Sequence, residues 1–141
     1  MTGPIQVACA VCLTPSRIPA NRLGEDPRCG KCGAALLDGA PAELGEQQFG
    51  AFVARTRMPV VADFWAPWCG PCRAMAPQFA RAAAELRDQA RFVKVNTEAA
   101  PGLAVRFGIR AIPTIVLFKD GAEAKRASGA MDSGALVRWL A

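Results

Sequence analysis

The stretch Trp68-Cys69-Gly70-Pro71-Cys72 joins two segments with different hydrophobic patterns. Residues 58–65 before it are almost all apolar, which is typical of a buried strand. After it, apolar residues recur at helical spacing as far as Leu86. Cys69 is therefore predicted where a central strand ends and a helix begins. Pro71 suits the first turn of that helix, because the N–H that it lacks would have no partner there.

The C-x2-C spacing of this pair serves either metal binding or reversible disulfide formation. A helix N-terminus favours an anion, because its N–H groups are unpaired and the helix dipole is positive there. We therefore expect a lowered pKa and a thiolate at Cys69. Cys72, one turn into the helix, is expected to be shielded but within bonding distance of Cys69.

Two further C-x2-C pairs lie near the N-terminus, separated by 16 residues. This spacing is typical of a four-cysteine zinc site, because each pair can supply two thiolates to one edge of a tetrahedron. Gly33 after the second pair tolerates a positive φ angle, whereas Leu13 after the first pair is less suited to one. The segment is also too small to fold on an apolar core alone. We predict one structural zinc ion, with two disulfides or a second redox pair as alternatives, and the predicted ligands are Cys9, Cys12, Cys29 and Cys32.

The length of 141 residues suits one domain with a small appendage, and we place a zinc-binding module at residues 1–39 and the main domain at 40–141. The net charge of +5 is scattered along the chain, so no nucleic-acid partner is expected. The absence of histidine leaves cysteine, with carboxylates, to bind any transition metal. We expect no signal peptide, and no apolar stretch approaches the ~18 residues of a membrane span.

Hydrophobic patterns predict the other elements of the main domain. Strands are expected over 91–95, 115–118 and 122–128, with a short edge strand near 40–44 and a hairpin turn at 119–121. Helices are expected over 46–56, 70–88 with a kink at Pro77, 99–107, and after a cap at Asp132 or Ser133. Strands that alternate with helices and then form a hairpin indicate an α/β fold with a mixed central sheet flanked by helices.

Residues 46–141 resemble the thioredoxin family, and with four cysteines in front of them the chain is similar to its zinc-binding members. The motifs that carry the resemblance are Asp63-Phe-Trp-Ala-Pro-Trp-Cys-Gly-Pro-Cys72, Ala76-Pro77, Phe107-Gly-Ile-Arg-Ala-Ile-Pro-Thr114 and Gly129-Ala130. The resemblance implies a thioredoxin fold preceded by a small zinc-ribbon module. It also implies a cytoplasmic reductase of protein disulfides that binds no organic cofactor directly. Such a protein is expected to be a monomer, without membrane contact, and to receive electrons from an NADPH-dependent thioredoxin reductase.

Roles follow for the positions that match the family motifs. Cys69 is implied to attack the substrate disulfide and Cys72 to resolve the mixed disulfide, so that these two form the redox disulfide. Asp63 and Lys94 match a buried aspartate below the active site and its lysine neighbour, and we count them among the catalytic residues. The implied substrate-binding surface consists of Trp68, Gly70, Pro71, Ile112, Pro113, Gly129 and Ala130.

Three of these residues have simpler explanations as well. Burial should raise the pKa of Asp63 and make it a base for Cys72, but the carboxylate could instead be a structural partner of Lys94. General frequencies favour a trans bond before Pro113, since cis bonds form only ~5–6% of X-Pro bonds, whereas the resemblance implies cis. Trp68 is either a core residue or part of the docking surface.

Two other hypotheses concern the cysteine-rich module. It could recruit a protein or a nucleic acid, with the main domain as a scaffold, but residues 1–40 carry four basic and three acidic side chains, which is too little charge for a phosphate-binding surface. It could also release its zinc on oxidation and act as a redox sensor.

Overall fold

The computed structural model describes residues 3–141. The elements in chain order are β1 (Ile5–Ala8), β2 (Pro15–Ile18), β3 (Ala42–Glu43), α1 (Glu46–Arg55), β4 (Val60–Trp65), α2 (Gly70–Glu85), β5 (Arg91–Asn96), α3 (Pro101–Arg106), β6 (Thr114–Lys119), β7 (Ala122–Ser128) and α4 (Ser133–Leu140). None of the helices in this part of the chain has the length and hydropathy needed to cross a membrane.

The main sheet has five strands in the order β3-β5-β4-β6-β7. β3, β5 and β4 run parallel to one another, while β6 and β7 are antiparallel to their neighbours. The predicted mixed sheet flanked by helices is therefore confirmed. β3 is shorter than the predicted edge strand, because Pro41 just before it has no N–H to donate to β5.

The two faces of the sheet pack on different helices. On one face, α1 and α3 cover an aromatic cluster in which Phe49 meets Phe64 edge to face, with ring centroids 6.0 Å apart. On the other face, α2 and α4 pack on Phe79, Phe92 and Leu136. Side chains alternate along β4, so Phe64 belongs to the first face while Asp63 and Trp65 point towards α2. β4 is thus fixed on both sides, and its carboxyl end leads directly into the cysteine pair.

The helix ends differ in detail from the predicted ones. α2 stops at Glu85 rather than near residue 88, because the Leu86 carbonyl accepts hydrogen bonds from Gln89 and Ala90 in a turn that brings the chain back to β5. Asp132, not Ser133, caps α4, since its carboxylate accepts a hydrogen bond from the Ala135 N–H at 2.8 Å.

The N-terminal segment, residues 3–39, contains regular structure that the sequence did not predict. β1 and β2 form an antiparallel hairpin, and Ala20–Arg22 forms a 3-10 turn. The segment completes its small apolar core with Met58 from the main domain, and the members of this core from the segment itself include Val7, Ile18, Leu36 and Leu37. The expectation that the segment is too small for a core of its own agrees with this shared packing.

Hydrogen bonds hold the N-terminal segment against the end of α1. The Ala8 N–H donates to Thr56 Oγ1 at 3.1 Å, and the Arg57 N–H donates to the Gln6 carbonyl at 2.7 Å. The Arg55 guanidinium adds a hydrogen bond to the backbone of the segment. Because Thr56 and Arg57 lie in the short connection between α1 and β4, these contacts place the segment at the amino end of that strand.

Candidate active site and metal centre

Cys69 and Cys72 lie where the sequence predicts them, at the junction between β4 and α2. Cys69 is the N-cap of α2, and the Cys72 N–H donates a hydrogen bond to its Sγ at 3.2 Å. The two residues form a disulfide, with their Cα atoms 5.2 Å apart. Cys69 is 5% exposed and Cys72 is 2% exposed, so Cys72 is the more deeply shielded of the two, as expected.

A second loop faces the disulfide. The Ile112–Pro113 peptide bond is cis, as the family resemblance implies. The Ile112 carbonyl oxygen lies 3.8 Å from Cys69 Sγ, and the Ile112 side chain packs against the cluster formed by Ala66, Cys69 and Cys72. The Pro113 carbonyl is bound by the Gly129 N–H at 2.9 Å, at a φ angle of +100° that favours glycine.

These contacts bring most of the predicted substrate-binding residues together around the disulfide. Trp68 is 66% exposed, which rules out the interpretation of this side chain as a core residue. Gly70, Pro71 and Ala130 are also exposed. The structure therefore presents these exposed residues and one large aromatic side chain beside a nearly buried disulfide, whereas Ile112 is half-buried and Pro113 is buried.

Asp63 lies on the α2 face of the sheet, two residues before the end of β4. Its carboxylate is 1% exposed, and neither of its oxygens has a hydrogen-bond partner. Burial raises the pKa of Asp63 to about 7, with Lys94 opposing this rise and Glu43 adding to it. A carboxyl group that titrates near neutral pH can take up and release a proton under physiological conditions.

Lys94 is the register partner of Asp63 on the neighbouring strand, but it forms no ion pair with it among residues 3–141. Its Nζ instead lies 4.4 Å from the centroid of the Trp65 ring. The interpretation of Asp63 as a structural carboxylate bound to Lys94 is therefore not supported by the geometry.

Trp65 was not among the predicted site residues, but it packs against the cluster formed by Ala66, Cys69 and Cys72. The indole is half-buried against Ala66 and the two cysteines, and its Nε1 is buried without a hydrogen-bond partner. The period of two along β4 was the available signal, because it places Trp65 and Asp63 on the same face.

The four N-terminal cysteines converge on one point, with all their Sγ atoms within 4.8 Å of one another. Cys9 and Cys32 approach to 3.6 Å, and so do Cys12 and Cys29. A tetrahedron of sulfur atoms at about 2.3 Å from a central zinc ion has edges of about 3.8 Å. The donor set and its spacing are those of a metal site.

The two C-x2-C turns repeat the same pattern of hydrogen bonds. In the first turn the Leu13 N–H donates to the Cys9 carbonyl and the Val11 N–H donates to Cys9 Sγ. In the second turn Gly33 and Lys31 make the equivalent bonds to Cys29. N–H groups that point at sulfur stabilise a thiolate.

The metal site and the disulfide lie at opposite ends of β4. The N-terminal segment contacts Met58 and the residues just before the strand, whereas Cys69 follows its carboxyl end. Six residues of strand separate the two ends by about 20 Å. A metal ion held by the four cysteines therefore cannot touch the disulfide.

Comparisons with known proteins agree with these two sites. Residues 40–141 match the thioredoxin family, and residues 8–34 match the family described as the N-terminal part of thioredoxin 2. Thioredoxin C-3 of Corynebacterium nephridii is 43% identical over 134 residues, which cover 95% of this chain and 92% of the relative. The thioredoxin of Mycolicibacterium smegmatis is 43% identical over 105 residues, covering 73% and 94%. Thioredoxin 1 of Synechococcus elongatus is 42% identical over 99 residues, covering 70% and 92%. The resemblance inferred from the sequence motifs is confirmed.

Proposed function

The chain belongs to the thioredoxin family and is a thioredoxin-type thiol–disulfide oxidoreductase, and from this premise we propose roles for its residues. Cys69 is the attacking cysteine and Cys72 the resolving cysteine. One observation carries this assignment: Cys69 Sγ caps the N-terminus of α2 and accepts the Cys72 N–H. A thiolate at that position gains from the hydrogen bond and from the helix dipole.

The reaction transfers two electrons from the dithiol to a substrate disulfide. The Cys69 thiolate attacks one substrate sulfur, the substrate S–S bond breaks, and the other substrate sulfur leaves as a thiolate that takes up a proton. The Cys72 thiol then loses its proton and attacks Cys69 Sγ. The mixed disulfide breaks, the second substrate sulfur leaves, and the Cys69–Cys72 disulfide remains.

Asp63 is proposed to accept the proton of Cys72 in the second step. It is a buried carboxyl group with a pKa of about 7 on the face of the sheet that α2 covers. Lys94 is proposed to assist, because its ammonium lowers the pKa of Asp63 and so keeps the carboxylate available as a base. Without the ammonium nearby, a carboxyl group buried in this environment would hold its proton too tightly.

Protein substrates are proposed to dock on the surface around the disulfide as extended chains. Pro113 has no N–H, and the backbone of Ile112 beside it can pair with a substrate strand. The exposed indole of Trp68 supplies an apolar contact. The further members of this proposed surface are Gly70, Pro71, Gly129 and Ala130. Ser128 next to Gly129 binds Thr114 through its hydroxyl at 2.9 Å and places a polar group at the edge of the surface.

The family implies disulfide substrates and a reductase partner in general, and we propose an NADPH-dependent thioredoxin reductase as the electron donor. A cytoplasmic location is proposed, because a reducing compartment keeps both the dithiol and a four-thiolate metal site functional. The protein is proposed to act as a monomer, without nucleic acid or membrane.

The metal in the N-terminal site is proposed to be one structural zinc ion. Four thiolates in a closed tetrahedral set favour zinc and leave no open position for chemistry. We propose residues 1–39 as the zinc-binding module and residues 40–141 as the thioredoxin domain. The separation of about 20 Å along β4 favours a structural role over direct action on the disulfide.

Cysteine variants test the proposed mechanism with insulin as a disulfide substrate. Cys69→Ser should abolish the reduction of insulin, because no thiolate remains to begin the reaction. Cys72→Ser should accumulate a mixed disulfide with the substrate, because Cys69 still attacks but nothing resolves the product. Retained insulin reduction in Cys69→Ser, or no captured substrate in Cys72→Ser, would contradict the assignment.

A further inference from the structure

Three charged side chains lie in one row across the sheet on adjacent strands. Glu43 of β3 is in register with Lys94 of β5, and Lys94 is in register with Asp63 of β4. Residues paired in register point to the same face of a sheet. The next residue in this row is Ile115, which packs in the core beneath α2 and α4. The row therefore runs on that face from buried Asp63, through half-buried Lys94, to Glu43 at the exposed edge.

Lys94 lies between Glu43 and Asp63 in the row, and its ammonium group contacts the ring of Trp65. Its Nζ lies over the Trp65 ring, 4.4 Å from the centroid. No oxygen of either carboxyl group lies within ion-pair distance of Nζ in the described part of the chain. The ammonium thus contacts the Trp65 ring and forms an ion pair with neither carboxylate among the described residues.

The charges in the row act on one another. Burial raises the pKa of Asp63, Lys94 opposes the rise and Glu43 adds to it. Burial also raises the pKa of Glu43, and this rise is opposed by the positive charge of Lys94. The charged side chains of the two helices that cover this face are exposed rather than turned towards Asp63; they are Arg73, Arg81 and Glu85 on α2 and Arg138 on α4. Lys94 and Glu43 are therefore the charged groups that act on Asp63 within residues 3–141.

We propose that Glu43 is a positioning residue of the reductase. Its carboxylate acts directly on the Asp63 carboxylate, and it also weakens the interaction between Asp63 and the Lys94 ammonium. This inference rests on the proposed role of Asp63 as the base for Cys72. A negative Glu43 repels the Asp63 carboxylate and competes with it for the field of Lys94. Both effects keep the proton on Asp63. Neutralising Glu43 removes both effects, so Asp63 then gives up its proton at a lower pH.

The oxidised protein isolates this effect, because its disulfide does not titrate and leaves Asp63 uncoupled from the cysteines. The Asp63 carboxyl carbon can be followed by NMR as a function of pH in the wild type and in variants. We expect a lower midpoint in Glu43→Gln and a higher midpoint in Lys94→Met. Glu85→Gln removes an exposed acidic charge from α2 and is the matched control, with the midpoint of the wild type. An unchanged or raised midpoint in Glu43→Gln overturns the proposal.

A kinetic measurement separates this proposal from the proposed function. Thionitrobenzoate attached to Cys69 is released as a coloured thiolate when Cys72 attacks Cys69 Sγ, so the resolving step can be timed across a pH series. Below the midpoint of Asp63, we expect Glu43→Gln to accelerate release by the same factor by which it increases the ionised fraction of Asp63. Glu43→Gln should have no effect on the pH profile when it is combined with Asp63→Asn.

The two hypotheses fail in different ways. Suppose that Asp63→Asn removes an ionisation from the pH profile of thionitrobenzoate release but Glu43→Gln does not shift the midpoint of that ionisation. Glu43 then has no positioning role, and the role of Asp63 stands. If Asp63→Asn leaves the profile unchanged, Asp63 is not the base, and the Glu43 proposal falls with it.

Discussion

Asp63 lowers the stability of the folded protein at neutral pH, because its buried carboxylate has lost its hydration. Its pKa is about 7 in the folded chain and close to 3.8 in the unfolded chain. Between these values the folded state binds the extra proton. The free energy of unfolding therefore falls as the pH rises from about 4 to about 7 and is level above that. At 1.36 kcal/mol for each pKa unit, the loss is about 4 kcal/mol.

Asp63→Asn removes this ionisation and keeps the shape of the side chain. We expect the variant to raise the free energy of unfolding by about 4 kcal/mol at pH 8 and to change it little at pH 4. Urea unfolding of the oxidised protein at both pH values measures the difference. Glu85→Gln on the exposed face of α2 is the control and should follow the wild type. A gain of equal size at both pH values would show that buried charge is not the cause.

Single residues show where the sequence was sufficient and where it was not. The position of Asp63 and the rise of its pKa followed from one acidic residue in an apolar strand. Leu13 was judged less suited than glycine to its turn, yet it adopts a φ angle of +66°, close to the +79° of Gly33. The metal turn imposes this conformation, and the Leu13 side chain contributes packing against the core of the α1 face. Packing of that kind depends on a distant surface that local sequence does not specify.

α4 offers a prediction at the scale of one element. The Asp132 carboxylate accepts a hydrogen bond from the Ala135 N–H at the start of the helix. The helix also buries Leu136 against the core. Asp132→Ala should lower the free energy of unfolding by about 1 kcal/mol, because the N–H loses its partner. Ser133→Ala is the matched control and should stay within about 0.5 kcal/mol of the wild type, since Ser133 is bound through its backbone N–H to Gln78. Equal losses in the two variants, measured by urea unfolding, would contradict the assignment of the cap.

The elements that were predicted correctly share strong local patterns. β4 and β6 are mostly apolar because both of their faces are covered, and β5 keeps an apolar centre between polar ends. The hairpin of β1 and β2 was missed because β2 contributes a single buried apolar residue, Ile18. The loop of this hairpin is the first C-x2-C turn, in which the Cys9 N–H donates to the Thr14 carbonyl and the Leu13 N–H to the Cys9 carbonyl. A strand stabilised by a tertiary constraint leaves little trace in hydrophobic periodicity.

On the scale of the whole molecule, spacing predicted which cysteines act together but not where the two sites lie. C-x2-C geometry is local, so three pairs could be divided into one metal set and one redox pair. The placement of the N-terminal segment depends on the Thr56 hydroxyl, which accepts the Ala8 N–H, on the shared side chain of Met58, and on a backbone hydrogen bond from Arg57 to Gln6. Backbone groups are the same in every residue, and so the sequence does not reveal such a contact.

This arrangement predicts that metal removal affects stability more than catalysis. Met58 and Arg91, which are 3% and 4% exposed, lie at the amino end of the main sheet, where the N-terminal segment packs. Without metal the segment should unfold and expose Met58, at a cost to the main domain of about 2 kcal/mol. Cys9→Ser combined with Cys12→Ser should therefore release about one zinc ion per chain and lower the free energy of unfolding. The same variant should keep most of the insulin reductase activity, because the disulfide lies at the other end of β4.

Thiol counting on the reduced protein provides the control for this experiment. Of the six cysteines, the metal-loaded wild type should show two that react rapidly, because a bound metal would hold the four that converge in the N-terminal segment. Chelation of the wild type should make all six reactive and lower the free energy of unfolding as the double variant does. All six thiols reacting before chelation would show that no metal is bound. Loss of reductase activity in the double variant with the main domain still folded would show instead that the metal module takes part in catalysis, against the separation of the two sites along β4.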